Sequence, residues 1–290
     1  SRKYVGYDGK HALSYIVTSK VEGIPFRQGR SLLSVAELKE SSRFLGSFLR
    51  QLHSLPAYSR KHATMSPDTS SETMTWASFE RLILKRVESC RQKHCLAGTL
   101  GPKLVGQIEE FLPAKAFIIH LLTIGFQPSW THSDLTDENI LIRVGNSHCD
   151  PHASKRSNPI SAVIDFGDAM MGHPLYDLIA LHISVFRGDD NLLKEWGQVY
   201  FRGILRKNSN VQRLSLKEME QCSKHEKWSE LVALQHKAPP LSYIAMCLTL
   251  LHSQDAITIA FGHNTDIRDC SSQSLWILTE NLWGTLDRIQ

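Results

Sequence analysis

Residues 130–142 read WTHSDLTDENILI and place a histidine, an aspartate and an asparagine just ahead of a short apolar run. Asp134 and Asn139 are five residues apart, so one short loop can bring a carboxylate and an amide to the same group. A histidine followed two residues later by an aspartate is a weak signal when it stands alone. The stretch becomes informative together with a second one further along the chain.

That second stretch, residues 162–181, reads AVIDFGDAMMGHPLYDLIAL and places Asp165 at the end of an apolar run. Residues 139–144 and 161–166 are both short β-rich runs, and the polar segment between them predicts a hairpin with an enlarged turn. A hairpin brings Asn139 and Asp165 together because each of them borders the strand pair. Gly167 allows the chain to turn sharply after the second strand.

This combination of groups is what phosphoryl transfer requires. The reaction needs the nucleotide phosphates held by a cation and the acceptor hydroxyl oriented, with a carboxylate to take its proton. Mg²⁺ is a hard ion that prefers oxygen ligands from carboxylates and amides. The order Asp134, Asn139, Asp165 therefore predicts one site with a base and two metal ligands.

Other polar residues in the two stretches are expected to support the site. His132 is predicted to brace the backbone of the loop rather than to react. Asp177 follows an apolar turn, and a buried carboxylate must be hydrogen-bonded, so we expect it to brace the same loop. Asp168 can either cap the following segment or contact metal, and the cap is favoured. Asp137 and Glu138 are expected to be solvated loop carboxylates.

The composition limits the class of protein and the partners that can be expected. The chain has 290 residues, of which 42% are hydrophobic, and a formal net charge of +4. It can bury a sizeable core as one large domain or two small ones. Basic residues are scattered, which argues against nucleic acid as the main partner. No apolar run approaches the ~20 residues that span a bilayer, so no membrane partner is expected.

The rest of the chain predicts helices and two flexible loops. Ser34 precedes an amphipathic helix that ends before Pro56, and Thr75 precedes a second helical stripe. The polar segments 58–75 and 146–159 are predicted to be flexible surface loops. Further helices are predicted at 103–124, 174–186, 190–206, 213–236, 241–261 and 272–289. The predicted class is α+β, mostly helical, with a short β-hairpin at the active site.

The two stretches resemble the catalytic core of the aminoglycoside phosphotransferase and choline kinase-like family, whose pattern is roughly HGDLxxxNIL followed by IDFGDAxxGDPxYDLA. The resemblance implies a protein-kinase-like fold with ATP and Mg²⁺ as cofactors. It implies Asp134 as catalytic base, Asn139 and Asp165 as Mg²⁺ ligands and Asp177 as a supporting aspartate. The sequence departs from the pattern at Ser133, where glycine is usual, and at His173, where aspartate is usual.

The small lobe of such a fold is largely missing from the sequence. The chain has no GxGxxG phosphate loop, and the one candidate for the small-lobe lysine is Lys20, three residues before Gly23. This context favours the hinge between lobes, where Ser19, Lys20, Val21 and Glu22 would meet the adenine ring. We therefore expect residues 1–26 to be the end of the small lobe and the hinge. Residues 27–290 are expected to be the large lobe of a truncated chain.

A second resemblance concerns the stretch PSWTHSDLTDENILI, which is similar to the C-terminal region of plant F-box proteins that carry a JmjC oxygenase domain. It implies that the chain is the tail of a multidomain nuclear or cytoplasmic protein, with protein partners reached through that larger parent chain.

Two main functions remain open at this point. The first is an ATP- and Mg²⁺-dependent phosphotransferase that acts on a hydroxyl of a small molecule. The second is a non-catalytic kinase-like interaction module at the C-terminus of a larger F-box/JmjC-type protein, and a third, weaker reading is a fragment without independent function. The catalytic-loop residues favour an enzyme, whereas the missing phosphate loop and lysine leave enzymatic activity uncertain.

Overall fold

Four helices of the structure begin at a residue whose side chain caps them, namely Ser34, Thr75, Asp189 and Ser274. The computed structural model describes residues 20–56, 75–98, 100–124, 126–143, 158–202, 213–223, 238–252 and 274–289. Residues 58–74 of the first predicted loop and residues 146–157 of the second lie outside these ranges.

Ten α-helices occur in the described ranges, besides two short 3₁₀ helices and a π-helical segment, Leu181–Val185, that continues α6. They are α1 (Phe26–Gly29), α2 (Val35–His53), α3 (Trp76–Ala97), α4 (Pro102–Phe111), α5 (Lys115–Thr123), α6 (Leu175–Ala180), α7 (Asp190–Tyr200), α8 (Leu216–Ser223), α9 (Leu241–Leu250) and α10 (Leu275–Arg288). Ser34 and Glu37 form a reciprocal capping box at the start of α2, and Thr75 caps α3. Helix α7 ends at Tyr200, six residues earlier than predicted, because the chain turns at Phe201.

The strands form two small antiparallel sheets. One contains β1 (Ile24–Pro25), β3 (Ile140–Ile142) and β4 (Ile160–Val163) in the order β1-β3-β4. The other pairs β2 (Ser129–Thr131) with β5 (Met170–Gly172), with Thr131 opposite Met170. The predicted hairpin is β3–β4, and the predicted α+β, mostly helical class is confirmed. The pairing of β2 with β5 was not predicted.

The hydrophobic core draws residues from all ten α-helices, and the C-terminal helices contribute many of them. All ten residues of α9 are buried, and α10 packs along it with a fully buried Trp283. Tyr243 of α9 stacks on Trp276 and donates its hydroxyl to the carbonyl of Phe111, which ties α4 to the same core. None of the helices in the described ranges is both long and apolar enough to cross a membrane.

Helix α2 is held tightly against α7. Ser42 Oγ donates to the carbonyl of Leu192 at 2.5 Å, and Arg43 pairs with Glu195 at 2.8 Å. The two helices approach closely at Gly46, where an added Cβ would lie 2.6 Å from the carbonyl oxygen of Trp196. Backbone cannot yield as a flexible side chain does, so this glycine sets the distance between the helices.

We expect Gly46→Ala to lower the free energy of unfolding by about 1–3 kcal/mol, because the new methyl group overpacks the α2–α7 contact. The matched control is Gly106→Ala in α4, where an added Cβ meets nothing within 4 Å. That change should raise the free energy of unfolding by about 0.5–1 kcal/mol through helix propensity. Urea denaturation of both variants measures the difference; similar effects from the two substitutions would contradict the packing argument.

Candidate active site

The loop between β2 and β3 brings Asp134 and Asn139 into direct contact. Asn139 Nδ2 donates to the backbone carbonyl of Asp134 at 2.8 Å and to its Oδ2 at 2.9 Å. The backbone N–H of Thr136 donates to the same Asp134 carbonyl at 2.9 Å and closes a tight turn from Asp134 to Thr136. Both side chains are partly exposed. The loop therefore presents a carboxylate and an amide side by side at the surface.

The hairpin brings Asp165 to the same edge. The N–H of Ile164 donates to the carbonyl of Asn139 at 2.9 Å, one residue beyond the β3–β4 ladder. Asp165 follows directly, with an exposed side chain and a left-handed backbone (φ 60°, ψ 68°). Its Oδ1 accepts from the N–H of Gly167 at 3.4 Å, so Asp165 itself caps the turn that follows.

The donor set fits Mg²⁺. Asn139 uses its amide nitrogen toward Asp134, so its amide oxygen points away from that carboxylate, and Asp165 supplies a carboxylate one residue beyond the paired backbone. Mg²⁺ is usually held by one or two protein oxygens together with substrate phosphates. Within the described ranges, no three His, Cys, Asp or Glu side chains are grouped closely enough to hold a metal by themselves. A two-residue site completed by phosphate oxygens matches this arrangement.

Asp177 and His132 hold the loop from below. Asp177 is completely buried in α6; its Oδ2 accepts from the N–H of His132 at 2.9 Å and its Oδ1 from the N–H of Ser133 at 2.7 Å. His132 is also buried, and its Nε2 lies 2.8 Å from the carbonyl of Ile164. The ring of His132 packs on Phe166 with 4.5 Å between centroids. These contacts place the loop against the turn that carries Asp165.

Asp168 does not make the cap that the sequence favoured. It is exposed at the end of the turn that Asp165 caps. Pro174 directly precedes α6, and the N–H of Leu175 at its start donates to His173, so the carboxylate of Asp168 does not cap this helix. Of the two expected loop carboxylates, Glu138 is exposed and pairs with Arg27 at 2.9 Å, whereas Asp137 is half-buried and burial raises its pKa.

The predicted adenine-binding segment leads into the same sheet. Lys20, Val21 and Glu22 are exposed and run into β1, which pairs with β3 of the hairpin. Ser19 lies outside the described residues. Three of the four predicted hinge residues therefore precede the strand that adjoins the Asn139 edge of the site.

Two residues of the site, His53 and Tyr200, were missed from the sequence. His53, the last residue of α2, lies 3.1 Å through its Nε2 from Asp177 Oδ2, and its Nδ1 lies 2.7 Å from the hydroxyl of Tyr200. A signal was present, because His53 comes four residues after the buried Leu49 and so continues the apolar stripe of α2. Its partners lie more than 120 residues away, and no local pattern specifies them.

Ser133 adopts a backbone conformation that favours glycine, the residue usual at this position of the family pattern. Its φ is 70°, in the left-handed region that costs a residue with a Cβ about 1–2 kcal/mol. Its hydroxyl lies 2.9 Å from Thr131 Oγ1, which offsets part of that cost.

We expect Ser133→Gly to be more stable than Ser133→Ala by about 1 kcal/mol, because both lose the hydroxyl contact and only glycine relieves the backbone. Thermal or urea unfolding of the two variants provides the comparison. Equal stability of the two would show that the left-handed backbone carries no cost here.

His173, the second departure from the family pattern, works as a neutral cap. It is buried, and its Nδ1 accepts from the N–H of Leu175 at 3.1 Å. Burial lowers the pKa of His173 to about 3, and the neighbouring His53 and Arg213 act in the same direction. The imidazole therefore replaces the usual carboxylate as the hydrogen-bond acceptor at the start of α6.

Because this pKa is lowered on folding, the unfolded chain binds the proton first. The contribution of neutral His173 is complete above about pH 6.5 and is lost as the pH falls from there toward about 3. His173→Asn keeps an acceptor for Leu175 and removes the titration. We expect the stability of the unmodified chain to fall by up to about 1.4 kcal/mol per pH unit more than that of the variant between pH 6 and 4. Urea denaturation at several pH values tests this, and parallel curves would contradict it.

Known proteins resemble this chain over most of its length. The chain is 27% identical over 293 residues to lysine-specific demethylase JMJ21 of Arabidopsis thaliana, covering 92% of this chain and 29% of that protein. The chain thus spans less than a third of the length of this relative, which accords with the resemblance to JmjC-type proteins.

Solved structures similar to the chain include the GDP complex of a variant of aminoglycoside 2'-phosphotransferase-IIIa, with 19% identity and a TM-score of 0.44 over 82% of this chain and 68% of that one. Another is the ADP-bound aminoglycoside phosphotransferase APH(2'')-Ib, with 18% identity and a TM-score of 0.37 over 86% and 72% of the two chains.

The phosphotransferase enzyme family model matches residues 3–208, which include residues 130–142 and 162–181, α2 and the hairpin. This match covers well over half of the chain. The chain belongs to the phosphotransferase enzyme family and has its protein-kinase-like fold.

Proposed function

We propose that this chain is the large lobe of an ATP- and Mg²⁺-dependent phosphotransferase that acts on a hydroxyl group of a small molecule. The observation that carries the proposal is the contact of Asn139 with Asp134, next to the backbone pairing of Asn139 with Ile164 that brings in Asp165. Membership of the phosphotransferase family supports it.

In this proposal Asp134 is the catalytic base. It accepts the proton of the acceptor hydroxyl as that oxygen bonds to the γ-phosphorus and the bond from phosphorus to the bridging oxygen of ADP breaks. Asn139 and Asp165 are the ligands of Mg²⁺, which when bound would offset the negative charge of the phosphates. The hydrogen bond from Asn139 keeps the Asp134 carboxylate oriented toward the acceptor.

The supporting residues hold this geometry. His132 and Asp177 fix the loop backbone, and the exposed Asp168 is a further carboxylate beside the turn of Asp165. Residues 1–26 then end the small lobe and form the hinge, with Ser19, Lys20, Val21 and Glu22 against the adenine ring. Residues 27–290 form the large lobe.

A second candidate is a kinase-like module that serves interaction inside a longer protein. The specific observation in its favour is the match to less than a third of a JmjC-type demethylase, combined with the absence of a GxGxxG sequence from the chain. Such a module would act in the nucleus or cytoplasm and meet its partners through the parent chain.

The test is Mg²⁺-dependent ATP turnover by the full-length protein. We expect Asp134→Asn to lower kcat by about 10²–10⁴-fold, because the base is lost while the bond from Asn139 to the backbone carbonyl is retained. Glu138→Gln is the matched control, since Glu138 is an exposed carboxylate on the same loop and pairs with the surface residue Arg27. It should leave kcat within about two-fold of the unmodified protein.

Equal turnover in the unmodified protein and in Asp134→Asn would refute the catalytic role of Asp134. Binding of Mg²⁺-nucleotide without turnover in either protein would favour the interaction module instead.

A further inference from the structure

His53 connects the helical core to the underside of the catalytic loop. Its side chain is 4% exposed, and that of Asp177 is 0% exposed. Nε2 of His53 lies 3.1 Å from Asp177 Oδ2, while Nδ1 lies 2.7 Å from the hydroxyl of Tyr200, the last residue of α7. The imidazole therefore bridges α7 to α6 from the end of α2.

The direction of these hydrogen bonds follows from the partners. A carboxylate accepts and does not donate, so the His53 Nε2 atom carries the hydrogen toward Asp177. Burial and the charge of Asp177 raise the pKa of Tyr200 well above its usual value, so its hydroxyl keeps its proton and can donate to Nδ1. Tyr200, His53 and Asp177 thus form a line of donors that ends on a buried carboxylate.

That carboxylate holds the loop on which Asp134 lies. Asp177 receives three N–H groups: two from the backbone of His132 and Ser133, and one from His53. The two backbone bonds fix the residues immediately before Asp134. Because Oδ2 is shared by His132 and His53, any rotation of the Asp177 carboxylate changes both contacts together.

The position of His53 is itself well determined. Helix α2 is fixed on α7 through Ser42 and Gly46, and near its end Arg50 donates to the carbonyl of Arg202 at 3.3 Å. The ring of His53 packs edge-on against Tyr200 with 5.5 Å between centroids. A histidine held in this way has little freedom to follow movements of Asp177 and instead restrains them.

We propose that His53 is a positioning residue for the catalytic loop, which acts by donating from Nε2 to Asp177 and so orients the carboxylate that binds the N–H groups of His132 and Ser133. Its effect on turnover rests on the proposed function of Asp134. Its effect on the order of the loop does not, because that follows from the hydrogen bonds alone.

Substitution of His53 by Gln or Asn can test the contacts of its two ring nitrogens separately. In His53→Gln the side-chain N–H₂ reaches the place of Nε2 and can still donate to Asp177. In His53→Asn the amide reaches only the place of Nδ1, near Tyr200, and the donor to Asp177 is lost. The matched control is His182→Asn, since His182 is also buried and contacts the carbonyl of Leu282, away from the loop.

The first measurement is hydrogen exchange of the His132 and Ser133 amides, which needs no activity. We expect His53→Asn to reduce the protection of these amides by about 10–100-fold, the scale of losing a hydrogen bond to a charged group. His53→Gln should retain protection within about three-fold of the unmodified chain. His182→Asn should change these two amides no more than it changes the core amides of α9.

The second measurement is the kinetics of Mg²⁺-dependent ATP turnover. His53→Asn should lower kcat by about ten-fold or more with KM for ATP changed less than about two-fold, and His53→Gln should restore kcat. If His53 only joined the helices, His53→Asn would instead lower stability without lowering kcat at a nearly unchanged KM.

The positioning role is overturned if the two loop amides in His53→Asn lose no more protection than the α9 amides do, or if His53→Gln behaves like His53→Asn. If the unmodified protein shows no turnover, the proposed function fails on that result, and the amide exchange still decides the role of His53.

Discussion

The fold around the site depends on hydrogen bonds to the buried carboxylate of Asp177. Asp177 is completely removed from solvent, and a charge in that position is tolerated only when hydrogen bonds replace its water. Two of those bonds come from the backbone of His132 and Ser133 and one from His53. The loop that carries Asp134 therefore cannot leave its place without exposing the carboxylate to an apolar interior, and the site and the core are fixed by the same contacts.

The sequence was sufficient to predict those parts of the fold that depend on local chemistry. The capping box at Ser34 and the cap at Thr75 locate two helices, and the apolar run after Asn139 predicts the β3 strand of the hairpin. These features depend on residues close together in the chain. The contact of Asn139 with Asp134 also lies within one loop, so its spacing could be interpreted without knowledge of the fold.

The parts that sequence reasoning missed depend on distant contacts. Strands β2 and β5 are three residues each, and they pair because the core brings Thr131 and Met170 together, not because either has a strong strand pattern. The role of His53 depends on partners from α6 and α7. Asp168 was expected to cap the segment that follows it or to contact metal, whereas Asp165 caps the turn in which Asp168 lies.

Backbone conformation also bears on whether this loop is a catalytic or merely a structural element. Only three residues other than glycine have positive φ in the described ranges, and two of them, Ser133 and Asp165, lie on either side of the Asn139–Ile164 pairing. Each such residue costs of order 1 kcal/mol or more, and strained residues persist where the surroundings over-determine them. A loop that served only to join two strands could be built without this cost. The strain is offset by Asp177 and His132 beneath the loop, and its effect is to present Asp134, Asn139 and Asp165 at one edge. A strained loop that holds these oxygen atoms exposed to solvent is what the proposed binding of a cation and phosphate at this edge requires.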